Sequence, residues 1–230
     1  MKVLLRVEGL DAGYGKVRVV HDVDLEVASG ELVALLGPNG AGKTTTILTI
    51  AGEMAPLGGT VRCLDRIDNA SLHERSRAGV ALVTDTHAVF TRMTVAENLR
   101  VFHSTADTVV EMFPELAEHL DRRVALLSGG QQQMLALGLA LSRRPSLILA
   151  DELSIGLAPT IVDRLFSVLR GAADQGVGVL LVEQYVHKAL AIADRIYVMD
   201  RGRIAISGRA ADLQERVDEI QASYLAKASS

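Results

Sequence analysis

The stretch Leu32-Val33-Ala34-Leu35-Leu36-Gly37-Pro38-Asn39-Gly40-Ala41-Gly42-Lys43-Thr44-Thr45 decides how this chain is read. An unbroken apolar run that stops at glycine fits a strand covered on both faces. Gly37 to Thr44 then match the pattern G-x-x-x-x-G-K-[ST]. Glycines there let backbone N–H groups converge on phosphate oxygens without Cβ clashes. Lys43 supplies positive charge to the outer phosphates, and the Thr44 hydroxyl can coordinate Mg²⁺. A helix that starts near Gly42, with Ile47, Leu48 and Ala51 on it, turns its positive end to the same place. A strand before and a helix after are the context that separates a phosphate cradle from a mere glycine-rich turn.

Val80 to Val83, Leu147 to Ala150 and Val179 to Val182 are three more unbroken apolar runs of this kind. They stop near Asp85, at Asp151-Glu152 and at Glu183-Gln184. In open α/β sheets ligands bind at the carboxyl ends of the strands, so these ends converge on one shared site. Asp151 can hold Mg²⁺ through its water shell, and Glu152 can orient or deprotonate an attacking water. The first 30 residues read differently. Val23, Leu25 and Val27 alternate with polar residues, and Val17 and Val19 continue that phase, as on a half-buried antiparallel strand. Ala28-Ser29-Gly30 closes the section as a turn. Between Thr86 and Arg144 the pattern predicts helices over about 95–102, 106–113 and 130–142. Ile196 to Ile206 reads as a hairpin, and a terminal helix follows from about Ala210.

This predicts an α/β fold with a mixed core sheet, an N-terminal antiparallel β section and an inserted helical subdomain. One domain spans 1–230, with the core in 1–85 and 145–230 and the helical subdomain in about 86–144. The chain has 24 Lys plus Arg against 28 Asp plus Glu, a formal charge of −4. That balance argues against a nucleic-acid binder held by bulk positive charge. Cys63 stands alone, which excludes an internal disulfide and a cysteine-cluster zinc site. No apolar run reaches the ~18 residues needed to span a bilayer, and the start carries no secretory pattern. The expectation is a soluble, cytoplasmic protein that works at a membrane only if a partner holds it there.

Leu127-Ser128-Gly129-Gly130-Gln131 is the most selective string. Ser128 can cap a helix that begins at the two glycines, which creates a second backbone anion site. A chain with one nucleotide has no evident use for two such sites. A dimer, in which this one closes over the partner's nucleotide, accounts for both. With these motifs the chain resembles the ABC-transporter ATPases, a P-loop NTPase family, over essentially its full length. The resemblance implies a head-to-tail dimer that sandwiches two ATP molecules with Mg²⁺. One subunit's Gly37, Pro38, Asn39, Gly40, Ala41, Gly42, Lys43, Thr44 and Thr45 hold each ATP, and the other's Ser128, Gly129, Gly130 and Gln131 cover it. It implies that Tyr14 stacks on adenine, a contact worth ~1–3 kcal/mol where bases stack on aromatics. Thr44, Asp85 and Asp151 form the metal set, and Glu152, Gln184 and Lys43 the catalytic set.

Some positions depart from the general family pattern. Asp85 and Gln184 stand where glutamine and histidine are usual, Leu153 replaces a proline, and Ala158 replaces an Asp. Val182-Glu183-Gln184, Ser154 to Pro159 and Phe90 to Leu99 are similar to the branched-chain amino-acid importer ATPases and to the related urea and amide importer ATPases. Thr84, Thr86 and Leu153 are atypical even there. The resemblance implies membrane-spanning permease subunits, docked near Phe90 and Met93 at the cytoplasmic face of the membrane. It also implies a second ABC ATPase subunit as dimer partner, with a different chain favoured over a second copy, and an extracytoplasmic solute-binding protein acting indirectly. A non-transport ABC protein and a degenerate regulatory member are the alternatives.

Overall fold

A computed structural model describes residues 1–64, 66–67, 70–84 and 89–214. Asp85 and Thr86, and the part of the terminal helix expected beyond residue 214, lie outside the described residues. In chain order the elements are β1 (Val3–Tyr14), β2 (Val17–Ala28), β3 (Leu32–Leu36), α1 (Lys43–Ala51), β4 (Gly58–Cys63), β5 (Arg66–Ile67), α2 (Leu72–Ala78) and β6 (Val80–Val83). There follow α3 (Val95–Val101), α4 (Ala106–Met112) and α5 (Gly129–Ser142), with two short 3₁₀ turns before α5. The chain then runs through β7 (Leu147–Asp151), α6 (Pro159–Asp174), β8 (Gly178–Glu183), α7 (Val186–Ile192), β9 (Arg195–Asp200), β10 (Arg203–Arg209) and α8 (Ala210–Leu213).

Two sheets carry the molecule. The antiparallel one has the order β2-β1-β4-β5, and the larger has the order β10-β9-β3-β8-β7-β6. Every neighbour pair from β9 to β6 is parallel, and β10 joins the edge antiparallel. Its mixed character and the antiparallel N-terminal section are as the sequence predicts. The unbroken apolar runs have a direct cause. Ile148, Ala150, Val179 and Leu181 face a core shared with α3 to α6. Leu147, Leu149, Leu180 and Val182 face a second core, shared with α1 and the antiparallel sheet. Neither face of the central strands meets water, so their side chains stay apolar until the carboxyl ends, where Asp151 and Glu183 stand.

One patterning expectation fails. Val17 is 67% exposed, whereas Val20, Val23, Leu25 and Val27 are buried. The phase of β2 breaks at His21 and Asp22, where Asp22 has φ +52° and the β1–β2 register shifts. An irregularity of this kind turns the next residue to the opposite face, so a strict two-residue repeat misplaces everything before it.

Candidate functional site

The cradle grows out of the carboxyl end of β3. Gly37 can only be glycine, because a Cβ there would meet the Met199 carbonyl oxygen at 2.4 Å. Gly40 and Gly42 have φ of +78° and +104°, left-handed values that fold the loop back before α1 begins. Helix α1 starts without a side-chain cap. Its first N–H groups are therefore left to an external acceptor, as a phosphate-binding helix start requires.

Lys43 is buried, and its Nζ donates to the carbonyl oxygens of Gly37 at 2.9 Å and Pro38 at 3.2 Å. Glu152 Oε1 lies 3.4 Å from the same ammonium. Gln184 Nε2 donates to that oxygen at 2.9 Å. Glu152 itself holds φ +50°, an uncommon conformation for a side chain of its size, fixed where its N–H donates to Val182 O at 3.0 Å. Strand ends of β3, β7 and β8, adjacent in the sheet, thus deliver a cation, a carboxylate and an amide to one point.

An open depression of about 320 Å³ lies there, lined by Asn39, Gly40, Gly42, Lys43, Thr44, Thr45, Glu152, Gln184, Val19 and Ile155. Asp151, at the end of β7, and Thr44 both line an adjoining cavity of about 780 Å³. A hydroxyl and a carboxylate are hard oxygen donors of the kind Mg²⁺ takes, so these residues fit the ion. The glycine cradle and its buried ammonium fit a polyphosphate. Asp85, expected in the metal set, lies outside the described residues. Tyr14 is 58% exposed at the tip of the β1–β2 hairpin. It does not line the depression, although Val19 of the same hairpin does.

Ser128 to Gln131 do not line it either. Ser128 and Gly129 are exposed at the start of α5. Gln131 N–H donates to Ser128 Oγ at 3.3 Å, and Ser128 N–H donates to Gln131 Oε1 at 3.0 Å. This is a reciprocal capping box. Gln131 Nε2 lies 2.8 Å from His119 Nε2. Gly130 is buried, and a Cβ on it would stand 2.9 Å from Ile161 Cγ2, so close packing onto α6 demands that glycine. Sequence reasoning missed His119, Ile161 and the Glu183–Ser154 contact, because each joins segments far apart in the chain. Leu153, unusual in its position, is buried in the core beside α5 and α6.

The fold and the cradle define a nucleotide-hydrolysing cassette. Residues 20–154 match the family model described as ABC transporter, and the chain belongs to that family, as an ATPase subunit of a transporter. The high-affinity branched-chain amino acid transport ATP-binding protein BraG of Pseudomonas aeruginosa is 39% identical over 91% of this chain and 94% of its own. The probable branched-chain amino acid transport ATP-binding protein LivF of Archaeoglobus fulgidus is 35% identical over 92% and 94%. The lipopolysaccharide export system ATP-binding protein LptB of Escherichia coli is 34% identical over 89% and 90%. Among solved structures, the ADP conformation of an ATP-binding cassette superposes with a TM-score of 0.82 at 25% identity, over 96% of this chain and 99% of that one. The chain therefore binds ATP and couples its hydrolysis to transport.

Proposed function

We propose that this chain powers a membrane importer for branched-chain amino acids. The contact that carries the catalytic assignment is Glu152, held between Lys43 and Gln184 at the mouth of the cradle. Lys43 and the α1 start bind the phosphates, and arriving phosphate oxygens replace the carbonyl partners Lys43 now holds. Glu152 orients a water in line with the γ-phosphate and takes its proton, help worth ~10²–10⁴ in rate. Gln184, able to donate and accept, fixes the Glu152 carboxylate. Thr44, Asp151 and Asp85 would hold Mg²⁺, which would supply neutralising charge to the phosphates.

The exposed Ser128 and Gly129 support a head-to-tail dimer in which they cover the partner's nucleotide, beside Gly130 and Gln131. Tyr14 stacks on the adenine. The domain is organised as a core of 1–85 and 145–230 with a helical subdomain of about 86–144. Among the described residues no helix is long and apolar enough to cross a membrane. Attachment at the cytoplasmic face then falls to permease subunits docked at Phe90 and Met93, which are 48% and 37% exposed. Buried Asn98 shapes that loop by bonding both the N–H and the carbonyl of Phe90. A second ABC ATPase completes the pair, and a solute-binding protein delivers the cargo from outside.

The solute class rests on the likeness to BraG and LivF. It is tested by purifying the chain with the permeases encoded beside it and reconstituting them in vesicles. ATP-dependent uptake of labelled leucine, isoleucine or valine is expected. Uptake of urea or an amide in their place moves the assignment to that importer class, and lipopolysaccharide transfer moves it toward the LptB-like one. Co-purification with soluble partners alone returns it to non-transport ABC proteins.

A further inference from the structure

Glu183 ends β8 with its side chain 1% exposed, directly after four apolar residues. A carboxyl group this deep is costly unless its oxygens are bonded. Three donors reach it. Ser154 N–H donates to Oε1 at 3.2 Å, Ser154 Oγ–H to Oε2 at 2.6 Å, and Gln184 N–H to Oε2 at 3.2 Å. Ser154 is itself 1% exposed. The two donor residues belong to different loops, one after Glu152 and one after β8. Gln184 then reaches back through Nε2 to Glu152.

The Ser154 loop has a second attachment. Its Ile155 lines the depression, and its Leu157 approaches the start of α5, where a Cβ on Gly129 would lie 3.7 Å from Leu157 Cδ2. One short loop therefore touches the exposed helix start at one end and is pinned beside Glu152 at the other.

We propose that Glu183 is a positioning residue for hydrolysis, clamping the Ser154 loop to the strand end that carries Gln184 and so setting the aim of Glu152. Glu152 has a strained backbone and a partly exposed side chain, so its direction depends on what surrounds it. Without the clamp, Gln184 and the Ser154 loop are free to shift independently, and a small misplacement of a catalytic group is costly in rate. ATP binding, which depends on the cradle, is untouched. The inference rests on the reading of Glu152 as the residue that orients water.

The test uses the purified full chain with its transport partners and compares Glu183→Gln, Ser154→Ala and the double variant. Glutamine keeps the shape of Glu183, but its one oxygen and one NH₂ cannot accept from all three donors. The expected result is a kcat lowered about tenfold or more in each single variant, with KM for ATP within about twofold. The double variant is expected to be no slower than the slower single, because both remove one contact. Unchanged kcat in Glu183→Gln, or losses that multiply in the double variant, overturns the proposal, as does an equal loss of ATP binding. Should Glu183→Gln fail to fold, Ser154→Ala decides alone, and a normal kcat overturns the proposal. Glu152→Gln is run in parallel. Normal turnover there defeats the Glu152 reading, whereas a dead Glu152→Gln beside a normal Glu183→Gln defeats only the clamp.

Discussion

Glu152→Gln keeps the hydrogen bond to Gln184 within reach, because an amide oxygen can still accept from Nε2, but it removes the carboxylate proposed as the base. Nucleotide binding stays intact while turnover falls by ~10²–10⁴. The variant is therefore expected to accumulate as an ATP-bound dimer, seen by size exclusion with and without ATP. A monomer with normal phosphate release counts against the role assigned to Glu152. Gln184→His behaves differently. The contact to be kept is one N–H donated to Glu152 Oε1, and an imidazole N–H can supply it. Activity within a fewfold of wild type is expected, and complete loss of phosphate release contradicts it. The cradle and the acidic pair are legible in the sequence from residue type and spacing, whereas a role for Gln184 comes only from the resemblance to the family. Glu183 is legible there only as part of a string. Nothing in the sequence says that its carboxyl turns inward to Ser154, since the two are separated by 29 positions.

At the scale of elements, α5 packs through glycine. Gly130→Ala places a methyl 2.9 Å from Ile161 Cγ2, on a β-branched side chain with little freedom to yield. Overpacking of ~1–3 kcal/mol is set against the ~1 kcal/mol that alanine gains over glycine inside a helix. A lower melting temperature is expected, restored in the Gly130→Ala, Ile161→Ala pair. Gly129→Ala meets only an ordinary contact, so its stability should match or slightly exceed wild type. It is instead expected to weaken ATP-dependent dimerisation, which equilibrium sedimentation reads. Equal stability losses at both glycines would defeat this division. Strands β2, β3 and β6 to β10 and helices α1, α3, α4 and α5 lie close to where the sequence predicts them, because each has one dominant period or a clear stop, whereas β4, β5, α2 and α7 are not among the expected elements. Helix α6 is not among the predicted elements, although Val162, Leu165, Phe166 and Leu169 follow helical spacing and are buried. Ala158 stands at its cap position without a capping side chain, so its start is marked only by Pro159 at the first helical position.

Across the whole molecule, the buried Glu183 carboxyl ties pH to stability. Burial pushes it above the ordinary carboxylate range, against the opposing hydrogen bonds from Ser154 and Gln184. The unfolded chain sheds this proton in the ordinary range and the folded chain only at higher pH. The stability linked to Glu183 is therefore full at acid pH and declines as pH rises from the ordinary range through the raised folded value. Denaturant titrations of wild type and Glu183→Gln across that span are expected to show the wild type losing ground to the variant as pH rises. A difference that is flat, or that grows in favour of the wild type, refutes this. The same global packing joins the two sheets. Arg195 of β9 pairs with Glu26 of β2 at 3.2 Å and with Glu31 at 3.3 Å, and so bridges the antiparallel sheet to the parallel one.

The sequence by itself determined the class of fold, the phosphate cradle and the acidic pair, because local spacing dictates both strand burial and backbone anion geometry. The tertiary structure alone decided three further points. It showed which face of β2 is buried before Asp22, since a single left-handed residue reverses the count there. It showed that Gly130 serves packing onto Ile161 while Ser128 and Gly129 stay exposed. It also joined Glu183 to Ser154, a contact that exists only because parallel pairing sets the ends of β7 and β8 side by side.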